Sequence, residues 1–456
     1  MKPGDVVADR FELEKVAGSG GMGKVFRAKD RKTGGIVALK VLWAHAHQDT
    51  ETRFVREAEL LEGLGHPGIV RHVAHGLGAE GEPWLALEWL EGETLGERLR
   101  RTGLDAAESV GVARRVAEAL GVAHAAGIVH RDLKPANIFL VGQSATDVRL
   151  LDFGIARVEG GEALTHTGYV LGTPAYMAPE QARGSKRIDA RADVFALGCV
   201  LFHCLTGRPP FAAEEMHAAL LKVVLEEAPR VSSLRMGVPE ALDALVARML
   251  AKAPKDRPKD GVAAAAEIAA LGIIEDTDAI EASLRPSGLT GKERRVVSLV
   301  LTKLPPGERA PKVGESEVFA PTLELAGVET AIGAGGRARS LEAIVERYGG
   351  RLDALSDGTL VVSLLSTGAA TDQAARAARS ALDLRATLPE APMALVAGAE
   401  VSSEGLPMGA VIERGVRLLG KKAPAGKASP IRLDDVMAGL LDVRFDVDGD
   451  EGGLYL

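Results

Sequence analysis

Only two cysteines occur among 456 residues, Cys199 and Cys204. They stand five apart in one apolar stretch, a spacing that turns helical side chains to different faces, so reduced core residues and a cytoplasmic setting are expected rather than a disulfide framework. No window approaches eighteen uninterrupted apolar residues, which excludes a membrane-spanning helix from the expectation. The opening Met1–Glu14 is charged and turn-like and lacks the apolar run of a secretory signal. Positive charge is not in excess: the net charge is −8, so no global electrostatic case exists for nucleic acid or an acidic membrane as partner. What remains is ordinary globular material, 26% charged and 46% hydrophobic. The chain is about three times a typical domain length, so at least two cores are expected.

The most informative stretch is His130–Asn137, HRDLKPAN, between a helix and the strand-like Ile138-Phe139-Leu140. It packs an acid, a lysine and a metal-binding amide into eight residues. Phosphoryl transfer depends mainly on positioning and on neutralising charge. A short rigid loop carrying Asp132, Lys134 and Asn137 suits that task, whereas a bare HRD triplet would read as a polar turn.

Three other segments point the same way. Phe11–Val25 reads FELEKVAGSGGMGKV, with glycines at 18, 20 and 23. Glycine lets backbone N–H groups approach a triphosphate without a Cβ in the way. A flexible hairpin or a dinucleotide-binding turn would compete, but Val25 and Phe26 lead into a second strand and not into a helix, so the dinucleotide reading fails its own context. Ile36–Leu42, IVALKVL, is an apolar strand with one lysine, Lys40. It is either a solvent-facing edge lysine or a paired one; the segment Thr52–Leu64 has helical spacing at Phe54, Ala58 and Leu61 and offers Glu57 as partner, with Glu59 as the alternative. Leu150–Gly154, LLDFG, ends an apolar strand at Asp152. A carboxylate there is a natural ligand for a hard divalent cation, or else a turn Asp before Gly.

Together these motifs resemble the protein kinases, and Lys134-Pro135 resembles their serine/threonine branch. The resemblance runs from about residue 10 to 272. It implies a two-lobed fold binding ATP and Mg2+, with Mn2+ as a substitute. Asp132 would accept the proton of the substrate hydroxyl, Lys134 would touch the γ-phosphate, and Asn137 and Asp152 would hold metal. Gly18, Ser19, Gly20, Gly21 and Gly23 would cover the phosphates, which Lys40, paired with Glu57, would grip. Val25 and Ala38 would also bind ATP, Leu87 would be the gatekeeper, and the backbone of Glu88 to Leu90 would meet the adenine edge. Thr165 and Thr167 of the activation segment are candidates for autophosphorylation, the phosphate pairing with Arg131. Thr173, in GTPAYMAPE, looks like the threonine that supports the catalytic Asp. Glu180 paired with Arg257, and Asp193 anchoring the catalytic loop, are read as structural. Ser109–Gly127 is expected to be a helix with Val112, Val116 and Leu120 on one stripe.

Residues 273–292 form a polar linker with Pro286, Ser287 and Gly288. Residues 293–456 change character: Arg295–Leu301 and Met393–Val401 read as strands, Leu341–Tyr348 and Ala374–Leu388 as helices, and Arg351–Leu365 as a hairpin around Asp357-Gly358. The order β-α-β-β-α-β suggests a ferredoxin-like α/β sandwich with helices on one face, making the whole chain α+β. ERRVVSLVL, YGGRLDALSDGTLVVSL and RGVRLL resemble the class III nucleotide cyclase catalytic domain, whose members hold two metal ions on two carboxylates. Asp357 matches one of these; Thr302 stands at the other. Glu413 replaces an expected asparagine, while Arg417 keeps the guanidinium. The domain is therefore read as a degenerate, non-catalytic cyclase homologue, which by the resemblance would form a homodimer and favour phosphorylation in trans.

The expectation is a serine/threonine protein kinase acting on itself and on protein substrates, with no nucleic acid and no transmembrane segment. Two readings from other classes compete. A nucleotide cyclase with a kinase appendage would make cyclic nucleotide, and a pseudokinase scaffold would bind nucleotide without transfer.

Overall fold

The computed structural model describes residues 1–20, 23–42, 58–59, 62–78, 81–153, 174–185, 187–213, 215–273, 294–304, 334–355, 357–366, 369–401, 409–421, 429–442 and 444–456. The chain divides into two compact units. The first comprises 1–181, 185–210 and 228–284, and the second 182–184, 211–227 and 285–456.

The first unit opens with a six-stranded sheet. Its strands are β1 (Val6–Val7), β2 (Phe11–Gly20), β3 (Gly23–Asp30), β4 (Ile36–Leu42), β5 (His72–Leu77) and β6 (Pro83–Glu88), in the order β1-β2-β3-β4-β6-β5. Every adjacent pair is antiparallel. Alternation drives this sheet: along β4, Val37, Leu39 and Val41 are buried and their neighbours less so, as a strand with one face on a core requires. The buried face collects Phe11, Leu13, Phe26, Leu39 and Trp84. The other face holds a smaller cluster of Ala58, Val70, Leu85 and Leu87, with Ala38, Leu90 and Leu151 against it. At the rim, buried Asp30 accepts from Arg10 Nε and Nη2, both at 2.8 Å, and from Lys32 N and Thr33 Oγ1 at 2.9 Å.

Below the sheet lie β7 (Gly92–Thr94), α1 (Leu95–Arg101), α2 (Ala106–Ala125), β8 (Ile138–Val141), β9 (Val148–Leu150), α3 (Pro179–Ala182) and α4 (Ala190–Thr206). Strands β7, β8 and β9 pair in that order. Both α1 and α2 start at capping boxes, Thr94 with Glu97 and Asp105 with Glu108, which satisfy the N–H groups that a helix start leaves open. The expected stripe on α2 is present, for Val112, Val116 and Leu120 are fully buried. Helix α4 is apolar nearly all round, stops at Gly207 in the left-handed region, and carries Cys199 and Cys204 buried and unpaired. Burial pushes the Cys204 thiol up to about 12, so it stays protonated and inert. Helices α5 (Met216–Leu225), α6 (Glu240–Met249) and α7 (Gly261–Ala269) follow, α5 falling in the second unit. A Cβ at Gly261 would lie 2.4 Å from Gly121 N, so α7 meets α2 backbone to backbone.

The second unit contains β10 (Arg294–Lys303), α8 (Ala334–Arg347), β11 (Gly350–Ala354), β12 (Thr359–Ser366), α9 (Ala370–Thr387), β13 (Met393–Val401), α10 (Gly409–Leu419), β14 (Ile431–Leu433), α11 (Asp435–Leu440), β15 (Asp448–Asp450) and β16 (Gly453–Tyr455). The sheet order is β11-β12-β10-β13-β14-β16-β15. Within β10 to β13 every pairing is antiparallel. One face packs Val300, Leu395 and Ala397 against Leu341 and Val345 of α8 and Ala374, Ala378 and Leu384 of α9. The opposite face receives α10, since Cβ atoms at Gly415 and Gly398 would lie 2.2 Å from Leu301 and 2.3 Å from Val411. This corrects the expectation of helices on one face only: β10 and β13 are apolar on both sides and need a cover on each. The linker expected at 273–292 lies, after its first residue, outside the described residues.

Candidate active site

The segment His130–Asn137 emerges from α2 through the turn at Gly127 and leads into β8. Its shape is set by a buried carboxylate. Asp193 of α4, 1% exposed, accepts from His130 N at 2.6 Å and Arg131 N at 2.8 Å, and from His124 Nε2 at 2.9 Å. His124 Nδ1 accepts from Gly261 N at 3.0 Å, which fixes Nε2–H as the donor toward Asp193. Three donors on one desolvated carboxylate hold the loop rigidly. Arg131 sits in the left-handed region, φ 63°, a conformation that the two bonds of this short span to Asp193 sustain. Sequence reasoning named Asp193 but missed His124, although His124 continues the four-residue stripe of Val112, Val116 and Leu120.

Within the loop the expected residues converge. Lys134 Nζ donates to Asp132 Oδ2 at 2.9 Å. Asn137 Nδ2 donates to the Asp132 carbonyl at 2.8 Å and to Oδ2 at 3.2 Å. With its nitrogen so committed, the Asn137 amide oxygen is the atom of this side chain that could hold a cation. His130 Nδ1 accepts from Asp132 N at 3.3 Å and its Nε2 donates to the Leu151 carbonyl at 2.9 Å. Leu151 N in turn donates to the Asn137 carbonyl at 2.9 Å. The histidine thus splices the loop to the segment that carries Asp152, a function no residue spacing advertised.

Asp152 follows β9 with φ 45°, a strained value for a non-glycine residue and a common signature of functional positions. Its Oδ1 lies 2.7 Å from Lys40 Nζ, with the two side chains 39% and 21% exposed. Among the described residues Asp152 is the carboxylate that Lys40 meets. Glu57 lies outside the described residues, while Glu59 is exposed on the helical turn.

The glycine-rich strands behave as expected where described. Gly18, Ser19 and Gly20 of β2 pair with Val25, Lys24 and Gly23 of β3. A Cβ at Gly23 would stand 2.1 Å from the Val41 carbonyl oxygen, so that glycine is required by β4; at Gly18 a Cβ meets nothing within 4 Å, so packing does not require it. Gly21 lies outside the described residues. Ala38 faces Leu87 across the β4–β6 ladder, and both border the cluster that includes Leu90 and Leu151. Glu88 N donates to the Arg71 carbonyl at 3.0 Å and its carboxylate accepts from Arg71 N at 2.9 Å. The Glu88 N–H is therefore committed within the protein. Thr165, Thr167 and Thr173 lie outside the described residues.

Around this core, Arg257, whose side chain is fully buried, makes a two-pronged bond to Glu180 at 2.7 and 3.0 Å, as expected. Gln181 Nε2 donates to the Arg131 carbonyl at 2.9 Å. The Lys40–Asp152 pair and the loop carrying Asp132, Lys134 and Asn137 are thus joined through the bond from Leu151 N to the Asn137 carbonyl, and together supply two cations, two carboxylates and one amide. That donor set fits a polyphosphate with a hard divalent cation.

Comparison with known proteins agrees. A family model described as "Protein kinase domain" matches residues 11–269. The chain is 38% identical over 279 residues to serine/threonine-protein kinase pkn3 of Myxococcus xanthus, covering 59% of this chain and 51% of that protein. It is 42% identical over 266 residues to serine/threonine-protein kinase PknJ of Mycobacterium tuberculosis, covering 56% and 44%. To PknB of the same organism it is 38% identical over 262 residues, covering 55% and 41%. The chain spans about half the length of the curated relatives it matches.

Proposed function

The chain belongs to the protein kinase family, and from that premise we propose that it transfers the γ-phosphate of ATP to serine and threonine hydroxyls of itself and of other proteins. The observation that carries this reading is the Asp132 carboxylate, held by Lys134 and Asn137 in a loop pinned from below by Asp193. So held, Asp132 orients an incoming hydroxyl and accepts its proton, while Lys134 offsets negative charge on the group in transfer. Lys40 and the backbone of Gly18 to Gly23 grip the phosphates. Val25, Ala38 and Leu87 wall the adenine, whose edge meets backbone between Glu88 and Leu90. Asn137 and Asp152 hold a divalent cation, Mg2+ by preference with Mn2+ as a substitute. Such an ion neutralises charge on the phosphates and aligns them.

The kinase domain is assigned to 10–272 and the linker to 273–292. Thr165 or Thr167 is assigned as the autophosphorylation site paired with Arg131, and Thr173 as a support for Asp132. The unpaired thiols Cys199 and Cys204 favour a reducing, cytoplasmic setting. Among the described residues no helix is long and apolar enough to cross a membrane.

For 293–456 we propose a ferredoxin-like domain of the cyclase type that has lost catalysis and retains a dimer surface. The order β11-β12-β10-β13 with antiparallel pairing supports the fold. Two side chains support the loss. Thr302 is buried and donates to the Pro392 carbonyl at 2.9 Å, and Asp357 accepts from Thr359 N and Oγ1 at 3.0 and 2.9 Å, closing its hairpin.

The test is γ-phosphate transfer by the full chain and by Asp132→Asn, with phosphosites mapped and cyclic nucleotide assayed in the same tubes. Incorporation that disappears in the variant is expected. Cyclic nucleotide, or nucleotide binding without transfer, would overturn the reading in favour of a cyclase or a scaffold.

A further inference from the structure

His72 and His75 lie three apart on β5, and in a regular strand side chains at that spacing point to opposite faces. Here they do not. The ladder sets His72 opposite Leu87 and His75 opposite Leu85, with one residue of β6, Ala86, left to face the pair Val73 and Ala74. This is a β-bulge, and its effect is to turn both imidazoles to the face of Leu85 and Leu87 while Val73 and Ala74 pack on the other. His72 Nε2 and His75 Nδ1 then stand 3.0 Å apart with ring centroids at 5.1 Å. Glu62, on the neighbouring helical turn, brings a carboxylate oxygen within 4.8 Å of a ring nitrogen of each histidine.

We propose that Glu62, His72 and His75 form a binding site for a divalent cation of the zinc type, with a fourth position open to water. The donor set of two imidazoles and one carboxylate is a zinc set, and tetrahedral Zn–N bonds of about 2.1 Å place ligand nitrogens about 3.4 Å apart. The imidazoles need to separate by only a few tenths of an ångström to accept an ion in place of their mutual hydrogen bond. Burial and the neighbouring His75 hold the His72 imidazole below its ordinary value, against the pull of Glu62. The bound ion ties the helical turn at Glu62 to the strand beside Leu87. None of the three residues belongs to the transfer machinery, and the inference stands or falls apart from it.

The experiment is titration of the chelator-treated full chain with Co2+, followed by visible absorption, and with Zn2+ by calorimetry. One equivalent is expected, with tetrahedral Co2+ bands displaced by Zn2+. His72→Ala and His75→Ala should abolish it, and Glu62→Gln should weaken it at least about tenfold. His75→Cys restores a ligand and should add a thiolate-to-cobalt charge-transfer band, a readout that no packing defect can produce. Binding of equal affinity in the His72→Ala/His75→Ala double variant, or none by the unaltered chain at about 100 μM metal, would overturn the site and leave a histidine pair joined by a hydrogen bond.

Discussion

Lys40 Nζ and Asp152 Oδ1 meet at 2.7 Å, joining the middle of the β-sheet to the segment after β9. Both side chains are partly open to solvent, and an ion pair of that kind adds little to stability, about 0–1 kcal/mol. Its value is positional. Lys40→Met is therefore expected to leave the melting temperature within a few degrees while γ-phosphate transfer falls about 10²–10³-fold. A calorimetric melt and a transfer assay on the same preparation check this; a collapse of the melt would show that the pair is chiefly structural.

The role proposed for Asp132 separates binding from chemistry. Asp132→Asn keeps the size and the loop bonds to Lys134 and Asn137 near their present lengths but cannot accept a proton. Transfer should drop about 10²–10⁴-fold with ATP affinity within about threefold. Fluorescent-nucleotide titration beside the transfer assay separates the two, and equal losses in both would place Asp132 in binding instead.

Asp193 anchors the loop from a site that water does not reach. In Asp193→Asn one oxygen becomes an NH2 facing an N–H donor, leaving buried donors unpartnered at about 1–3 kcal/mol each. A lower urea midpoint with unchanged slope is expected, together with reduced turnover at saturating ATP. An unaltered midpoint would mean that His130 and Arg131 hold the loop without it.

Asp30 carries the clearest pH signature. The Arg10 guanidinium, with Lys32 N and Thr33 Oγ1, holds its carboxyl well below the usual carboxylate range, against burial. The folded state thus favours the ionised form. Its contribution is present above the unfolded value of about 4 and is lost as pH falls below that. Asp30→Asn should melt lower than the unaltered chain at pH 7, and the gap should narrow toward pH 3. Thermal melts at the two values test this, and a gap constant with pH would contradict it.

Much of the site was legible because its chemistry is local. Asp132, Lys134 and Asn137 lie within six residues, and their hydrogen bonds form inside one loop. Strands Ile36–Leu42 and Met393–Val401 were legible from apolar runs between breakers, and α2 from its stripe. The contact of Lys40 with Asp152 was not, because many carboxylates in a sequence satisfy a lysine equally well until the chain is folded. Nor was the second cover on β10 and β13: periodicity tells that a helix has an apolar face, not which side of a sheet receives it.

By itself the sequence determined the residue types that phosphoryl transfer requires, their order, and the elements that present them, since capping, alternation and glycine placement act over a few residues. Tertiary structure alone decided what those residues touch. Asp193 reaches His130 and Arg131 from a different helix, His130 ties the loop to the Leu151 carbonyl, and a bulge of one residue turns His72 and His75 to a common face. Contacts between distant segments depend on how layers pack and where a ladder slips, and neither is written in any short stretch of the chain.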